Sequence, residues 1–179
     1  VNTAGFSETR VWSGLLGQCG NPDAPVGTAN TGYRPAVNYS PLYYLFNGVA
    51  FDKTHPSLSL FPAAPGTAVT GNVLVRFVNA GLRMHVPTII GAQTGSATAP
   101  ANVPPAGLTL VAEDAHPLPG TPRVQSEVFL AAGKAYDVMI NVPAAGVPAL
   151  PVFDRELSLS GNATARDAGM LAYIGVNGA

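Results

Sequence analysis

Apolar and polar residues alternate in short runs along this chain, and many of the runs are closed by glycine, proline or asparagine. A period of two is the signature of strands, and no apolar stretch holds a helical spacing beyond about one turn. The strongest run is Val73-Leu-Val-Arg-Phe-Val78, where β-branched and aromatic side chains surround a single charge. It predicts a core strand buried on one face and nearly so on the other. Asn79-Ala-Gly81 then reverses the chain, because Asn and Gly tolerate backbone conformations that Val and Phe resist. A second strand is predicted from about Arg83 to Ile90, carrying His85.

Before this centre, Thr9-Arg-Val-Trp-Ser-Gly-Leu-Leu16 reads as one edge strand with Trp12 as its apolar anchor. Residues 17–35 are dense in Gly, Pro, Asn, Asp and Thr, so residues 1–37 read as an N-terminal extension or interdomain linker. Residues 38–179 form the domain proper. Tyr39–Phe46 is its first strand, Asn47-Gly48 a two-residue hairpin turn, and Val49–Phe51 the return. Leu58–Phe61 is a short half-exposed strand followed by a Pro/Ala/Gly loop.

After Ile90, residues 91–107 hold no charge and read as a long surface loop. Further strands are predicted at Leu108–Ala112, Glu127–Leu130, Ala135–Val142, Phe153–Ser160 and Met170–Val176. A turn-rich connection with Glu113, Asp114, Pro117, Pro119 and Gly120 follows the first of these, and Pro143–Pro151 is another loop. Asn162–Ala168 could form a short helix capped by Asn162. Many short strands at intervals of about 8–12 residues predict an all-β fold, a Greek-key sandwich or barrel.

Composition strengthens this picture. Charged residues make up 11%, while Gly (20) and Pro (17) are abundant, which fits turns and disfavours long surface helices. The formal charge of -1 without a basic cluster argues against nucleic-acid binding. No apolar run approaches the roughly 20 residues of a membrane span. The chain opens at Val1 without a leader pattern, as expected of a segment from a longer or processed protein. Its single cysteine, Cys19, cannot make an internal disulfide; it is expected to be a free thiol, or paired outside the segment.

Candidate chemistry is sparse. No Gly-x-Ser-x-Gly and no phosphate-cradling glycine motif is present. Glu113 and Asp114 read as a solvated acidic turn, and Arg76 requires an acidic partner, with Asp137 and Glu113 as candidates. His55 and His116 each precede a proline in a loop and read as exposed turn residues. His85 lies in or beside a core strand, where it is either a satisfied buried histidine or a metal ligand.

Four segments taken together resemble a cupredoxin-like (plastocyanin-like) domain of a multicopper oxidase. They are Tyr44-Leu-Phe-Asn-Gly48, Leu74-Val-Arg-Phe-Val-Asn-Ala-Gly81, Leu110-Val-Ala-Glu-Asp114 and Leu130-Ala-Ala-Gly-Lys-Ala-Tyr-Asp-Val-Met-Ile140. The resemblance covers about Asn38 to Val176 and implies a Greek-key β-sandwich. In copper-bearing domains of that family the strand after Asn-Ala-Gly reads His-Pro-x-His-x-His-Gly. Here it reads His85-Val-Pro-Thr-Ile-Ile-Gly91. His85 falls on a blue-copper ligand, whereas Thr88 and Ile90 stand where trinuclear-cluster ligands belong. At the C-terminal end, matching Gly169-Met170 to the family's Gly-Met puts Leu159, Ser160, Gly161 and Ala165 where a cysteine and three histidines belong.

A blue-copper centre needs two imidazoles and a thiolate with a weak axial thioether. Only His85 and Met170 survive as candidates, so no metal, catalytic or cofactor site is expected in this segment, and no oxidase activity. The resemblance implies copper in the parent protein, neighbouring cupredoxin domains as partners, and an extracytoplasmic location. His85 and the 91–107 loop are candidates for contacting such a neighbour. Two other readings stay open: a β-sandwich binding or adhesion module, and a metal-binding domain using His85 with other ligands.

Overall fold

A computed structural model describes residues 41, 43–64, 66, 68–69, 71–95, 106–142, 148–158 and 168–176. The chain divides into two compact units, Val1–Pro41 and Leu42–Ala179, and the architecture below is that of the second. Trp12, Cys19, the centre of the 91–107 loop and the 162–167 stretch lie outside the described residues.

The described elements are β1 (Phe51–Asp52), a 3-10 turn (Pro56–Ser59), β2 (Leu60–Pro62), β3 (Gly71–Val78), β4 (Pro87–Ile89) and β5 (Leu108–Glu113). They continue with β6 (His116–Pro117), β7 (Arg123–Gln125), β8 (Ala135–Val142), β9 (Ala149–Asp154), β10 (Ala168–Gly169) and β11 (Leu171–Gly175). The fold is all-β, as expected. One sheet runs β3-β8-β5-β6 with β7 also on β5; the other runs β2-β11-β9-β4; β1 pairs with β10. Most neighbours are antiparallel, but β2 and β11 run parallel, so the chain crosses between distant segments rather than folding as a simple meander.

The alternation in β3 and β8 explains the core. Val138, Ile140 and Val142 of β8 are buried, with Phe77 of β3 and Leu108 and Leu110 of β5, and they meet Ile89, Leu150 and Val152 from the other sheet. Val73 and Val75 pack against the same cluster. The second face of β3 differs from expectation: Leu74 is 54% and Val78 62% exposed. Arg76 holds that face toward solvent, pairing with Asp137 directly opposite it through Nε (2.6 Å) and Nη2 (2.7 Å).

Other expectations shift in detail. Phe46 and Val49 exchange backbone hydrogen bonds across Asn47-Gly48, both at positive φ, which is the expected two-residue turn, but the pairing is a single bridge. Leu58 falls in the 3-10 turn, with Pro56 supplying its start. Glu127–Leu130 makes isolated bridges to His85 and Thr88 instead of a continuous strand. The strand expected at Phe153–Ser160 is displaced: β9 begins at Ala149, includes Pro151 and ends at Asp154. Pro151 fits because its missing donor would face Ile90, beyond the end of β4, and its carbonyl still accepts the Ile90 N–H (2.8 Å).

Candidate functional site

The site lies where β4 and β9 meet at one end of their sheet. It begins with Asn79, a buried side chain that fixes the turn after β3. Its Nδ2 donates to the carbonyls of Arg83 (2.6 Å), Leu130 (3.1 Å) and Ala131 (3.2 Å), while Oδ1 accepts the Gly81 N–H (2.9 Å). One amide thereby ties the turn to the segment that flanks His85. His85 and Leu130 then exchange backbone hydrogen bonds of 3.0 and 2.9 Å, which sets the imidazole facing inward. Tyr44 packs edge-on against the ring, centroids 6.0 Å apart, and Arg83 Nη1 donates to the Tyr44 hydroxyl (2.9 Å).

Opposite the imidazole stands Asp154. In β9 the buried positions are Leu150, Val152 and Asp154, so strand parity delivers the carboxylate to the interior. Its side chain has no exposed surface, and that of His85 is 11% exposed. His85 Nδ1 lies 2.8 Å from Asp154 Oδ2. Oδ1 accepts the N–H groups of Val86 (2.8 Å) and Glu156 (3.2 Å). Burial pushes this carboxyl upward, but hydrogen bonds from His85, Val86, Ser158 and Glu156 outweigh it and hold the group below the ordinary carboxylate range. An ionised carboxylate only accepts, so Nδ1 carries the proton.

Met170 reaches the same corner through its backbone: its carbonyl accepts the Asp154 N–H (3.3 Å) and its N–H donates to the Ser158 carbonyl (3.0 Å). The fold thus brings His85 and Met170 to one region although 85 positions separate them in sequence. Glu156 completes the corner, with ligand atoms of His85, Asp154 and Glu156 all within 4.8 Å of one another.

The other sequence candidates are placed elsewhere. His55 Nδ1 lies 3.0 Å from Asp52 on an exposed turn, whereas His116, expected in a loop, is an exposed residue of β6 with Nδ1 2.8 Å from the Asp114 carbonyl two positions before it. Glu113 and Asp114 are both used by Lys134, whose Nζ donates to each at 2.6 Å, so this acidic turn is a clamp between β5 and β8. Thr88 is buried and donates to the Ser126 carbonyl (2.6 Å), and Ile90 faces solvent.

No family model matches the chain, and no curated protein does. Among solved structures, the blue copper oxidase from Nitrosomonas europaea matches at 20% identity with a TM-score of 0.53, over 74% of this chain and 34% of that one. The fold is cupredoxin-like. The multicopper oxidase mgLAC matches at 20% identity and TM-score 0.47 over 64% of this chain and 31% of that one. Fet3p, a multicopper oxidase that functions in iron import, matches at 12% identity and TM-score 0.42 over 66% of this chain and 19% of that one. The chain spans about a third of the length of the first two.

Does this cupredoxin-like frame fit blue copper? Around His85 the donors are carboxylate oxygens, and among the described residues no thiol and no second imidazole join it. A soft thiolate with paired imidazoles is what stabilises that centre, and oxygen donors do not replace it. The described residues do not fit a blue-copper site.

Sequence reasoning missed Asp154 and Glu156. The signal was present: Asp154 shares parity with Leu150 and Val152, which puts an acid on a core-facing position.

Proposed function

We propose that residues 38–179 form a non-catalytic, structural cupredoxin-like domain of a multidomain multicopper oxidase, with residues 1–37 as an extension or linker. The parent would oxidise a substrate with copper and reduce dioxygen, outside the cytoplasm, and this domain would pack against copper-bearing neighbours and help shape their interface. The observation that carries the reading is the His85 corner. The strand register resembles that of a copper ligand, yet the imidazole is held by a buried carboxylate, Thr88 is spent on a carbonyl and Ile90 has no ligand atom. A fold that keeps its frame while its ligand positions go to structural contacts is what a packing domain requires.

The exposed face of the β3 sheet supports the partner part of the reading. Register aligns Leu74, Met139, Thr109 and Val124 in one row across β3, β8, β5 and β7, and both ends of that row are exposed. Apolar residues presented by a sheet face suit contact with another domain. Copper-loaded protein tested for dioxygen consumption with phenolic and metal-ion substrates should show none above the copper blank. Catalytic turnover of either substrate by this chain would refute the reading.

A further inference from the structure

The His85 corner has a second property that a packing domain does not need. Asp154 places a carboxyl group in the interior, and Glu156 sets another at the solvent edge of the same corner. Among the described residues no cation pairs with Glu156, because the adjacent Arg155 turns instead to Glu127 (3.3 Å). Two carboxylates and one imidazole converge here within 4.8 Å, one donor buried, one nearly so and one open to water. That gradient provides a route of entry for an ion.

We propose that His85, Asp154 and Glu156 bind one divalent ion of zinc type. The donor set is one imidazole nitrogen and two carboxylate oxygens, which zinc accepts at about 2.0–2.2 Å, with solvent filling the remaining position. In a tetrahedral site two ligands at those lengths lie about 3.3 Å apart, so His85 Nδ1 and Asp154 Oδ2, 2.8 Å apart in their hydrogen bond, must separate by about half an ångström as the ion enters. The ion takes the place of the proton between these two atoms, so binding releases that proton to solvent. Oδ1 keeps its hydrogen bonds from Val86 and Glu156, which orient the carboxylate as outer contacts orient a metal ligand. Zinc has no redox chemistry, so this site is independent of whether the parent is an oxidase.

The test is zinc binding to the full 179-residue chain, followed by calorimetry and by elemental analysis after dialysis. One zinc per chain is expected, with proton release revealed by buffers of different ionisation enthalpy. Glu156→Gln alters an exposed side chain and should leave the fold unchanged while weakening zinc at least about tenfold. Asp52→Asn, at the exposed histidine–aspartate pair, should leave affinity unchanged. The absence of saturable binding up to millimolar zinc would overturn the proposal. So would one bound zinc whose affinity survives Glu156→Gln, or falls equally in Asp52→Asn.

Discussion

Two histidines in this chain meet an aspartate through Nδ1 at nearly the same distance, 2.8 Å for His85–Asp154 and 3.0 Å for His55–Asp52, in opposite surroundings. His55 and Asp52 are 68% and 50% exposed and sit within one turn of chain. Asp52 is pulled down to about 2 by the hydrogen bond from His55 and then by those from Thr54. His85 and Asp154 lie 69 positions apart and are packed inside. Water can replace either partner of the first pair, whereas a deserted Asp154 would keep a buried charge with only backbone and hydroxyl donors. Distance alone does not separate the two pairs; burial and sequence separation do.

The contrast breaks first at Asp154. Asp154→Ala removes the carboxylate, leaves the His85 and Val86 donors without an acceptor, and should cost about 3–5 kcal/mol in urea unfolding. A loss no larger than that of Asp52→Ala would end the distinction.

Next in size is the loop that presents His85. Asn79→Ala deletes several hydrogen bonds to backbone groups around one buried amide and should cost about 1–3 kcal/mol. If Asn79→Ala and Asp154→Ala are coupled in a double-mutant cycle, the turn and the His85–Asp154 hydrogen bond act as one clasp; additive losses would mean they act separately.

The pH dependence follows from Asp154 being held below its ordinary value. A carboxyl depressed in the folded state binds fewer protons than the unfolded chain does, so its stabilisation is complete above the unfolded value of about 4 and is lost as pH falls through the folded value. Asp137 adds to this in the same direction through Arg76. Unfolding midpoints should therefore decline below about pH 4, and Asp154→Asn should flatten that decline. An equal slope in the variant would remove Asp154 as its source. Smallest of all is Asp52→Asn, which should leave the neutral-pH midpoint where it was, since the pair it breaks is solvated.

Much of the frame was legible in the sequence because it rests on local patterns. β8 spans the run expected at Ala135–Val142, Asn47-Gly48 turns with both residues at positive φ, and Arg76 found one of its two candidate acids, Asp137. β6 and β7 were not legible, since such short elements exist only through pairing with β5. Pro151 concealed the start of β9, because a proline argues against a strand unless the neighbouring strand ends beside it. That error in turn hid the parity that places Asp154 inside. His85 could be singled out from the strand expected at Arg83–Ile90, although β4 begins only at Pro87 and His85 precedes it in an isolated bridge to Leu130; its partner was set by the meeting of β4 and β9, which no local pattern encodes.

The central claim is that the cupredoxin-like frame holds a carboxylate-bound histidine, with no copper-thiolate centre among the described residues. The most direct measurement is the visible spectrum of the Cu(II)-loaded, dialysed protein, with copper quantified in the same sample. The account predicts no intense absorption near about 600 nm, even where Cu(II) occupies oxygen and nitrogen donors at the His85 corner, because that band requires thiolate bound to copper in a blue-copper geometry. A strong blue band with one copper per chain would contradict it, and Cys19, His85 and Met170 would then be the first residues to replace.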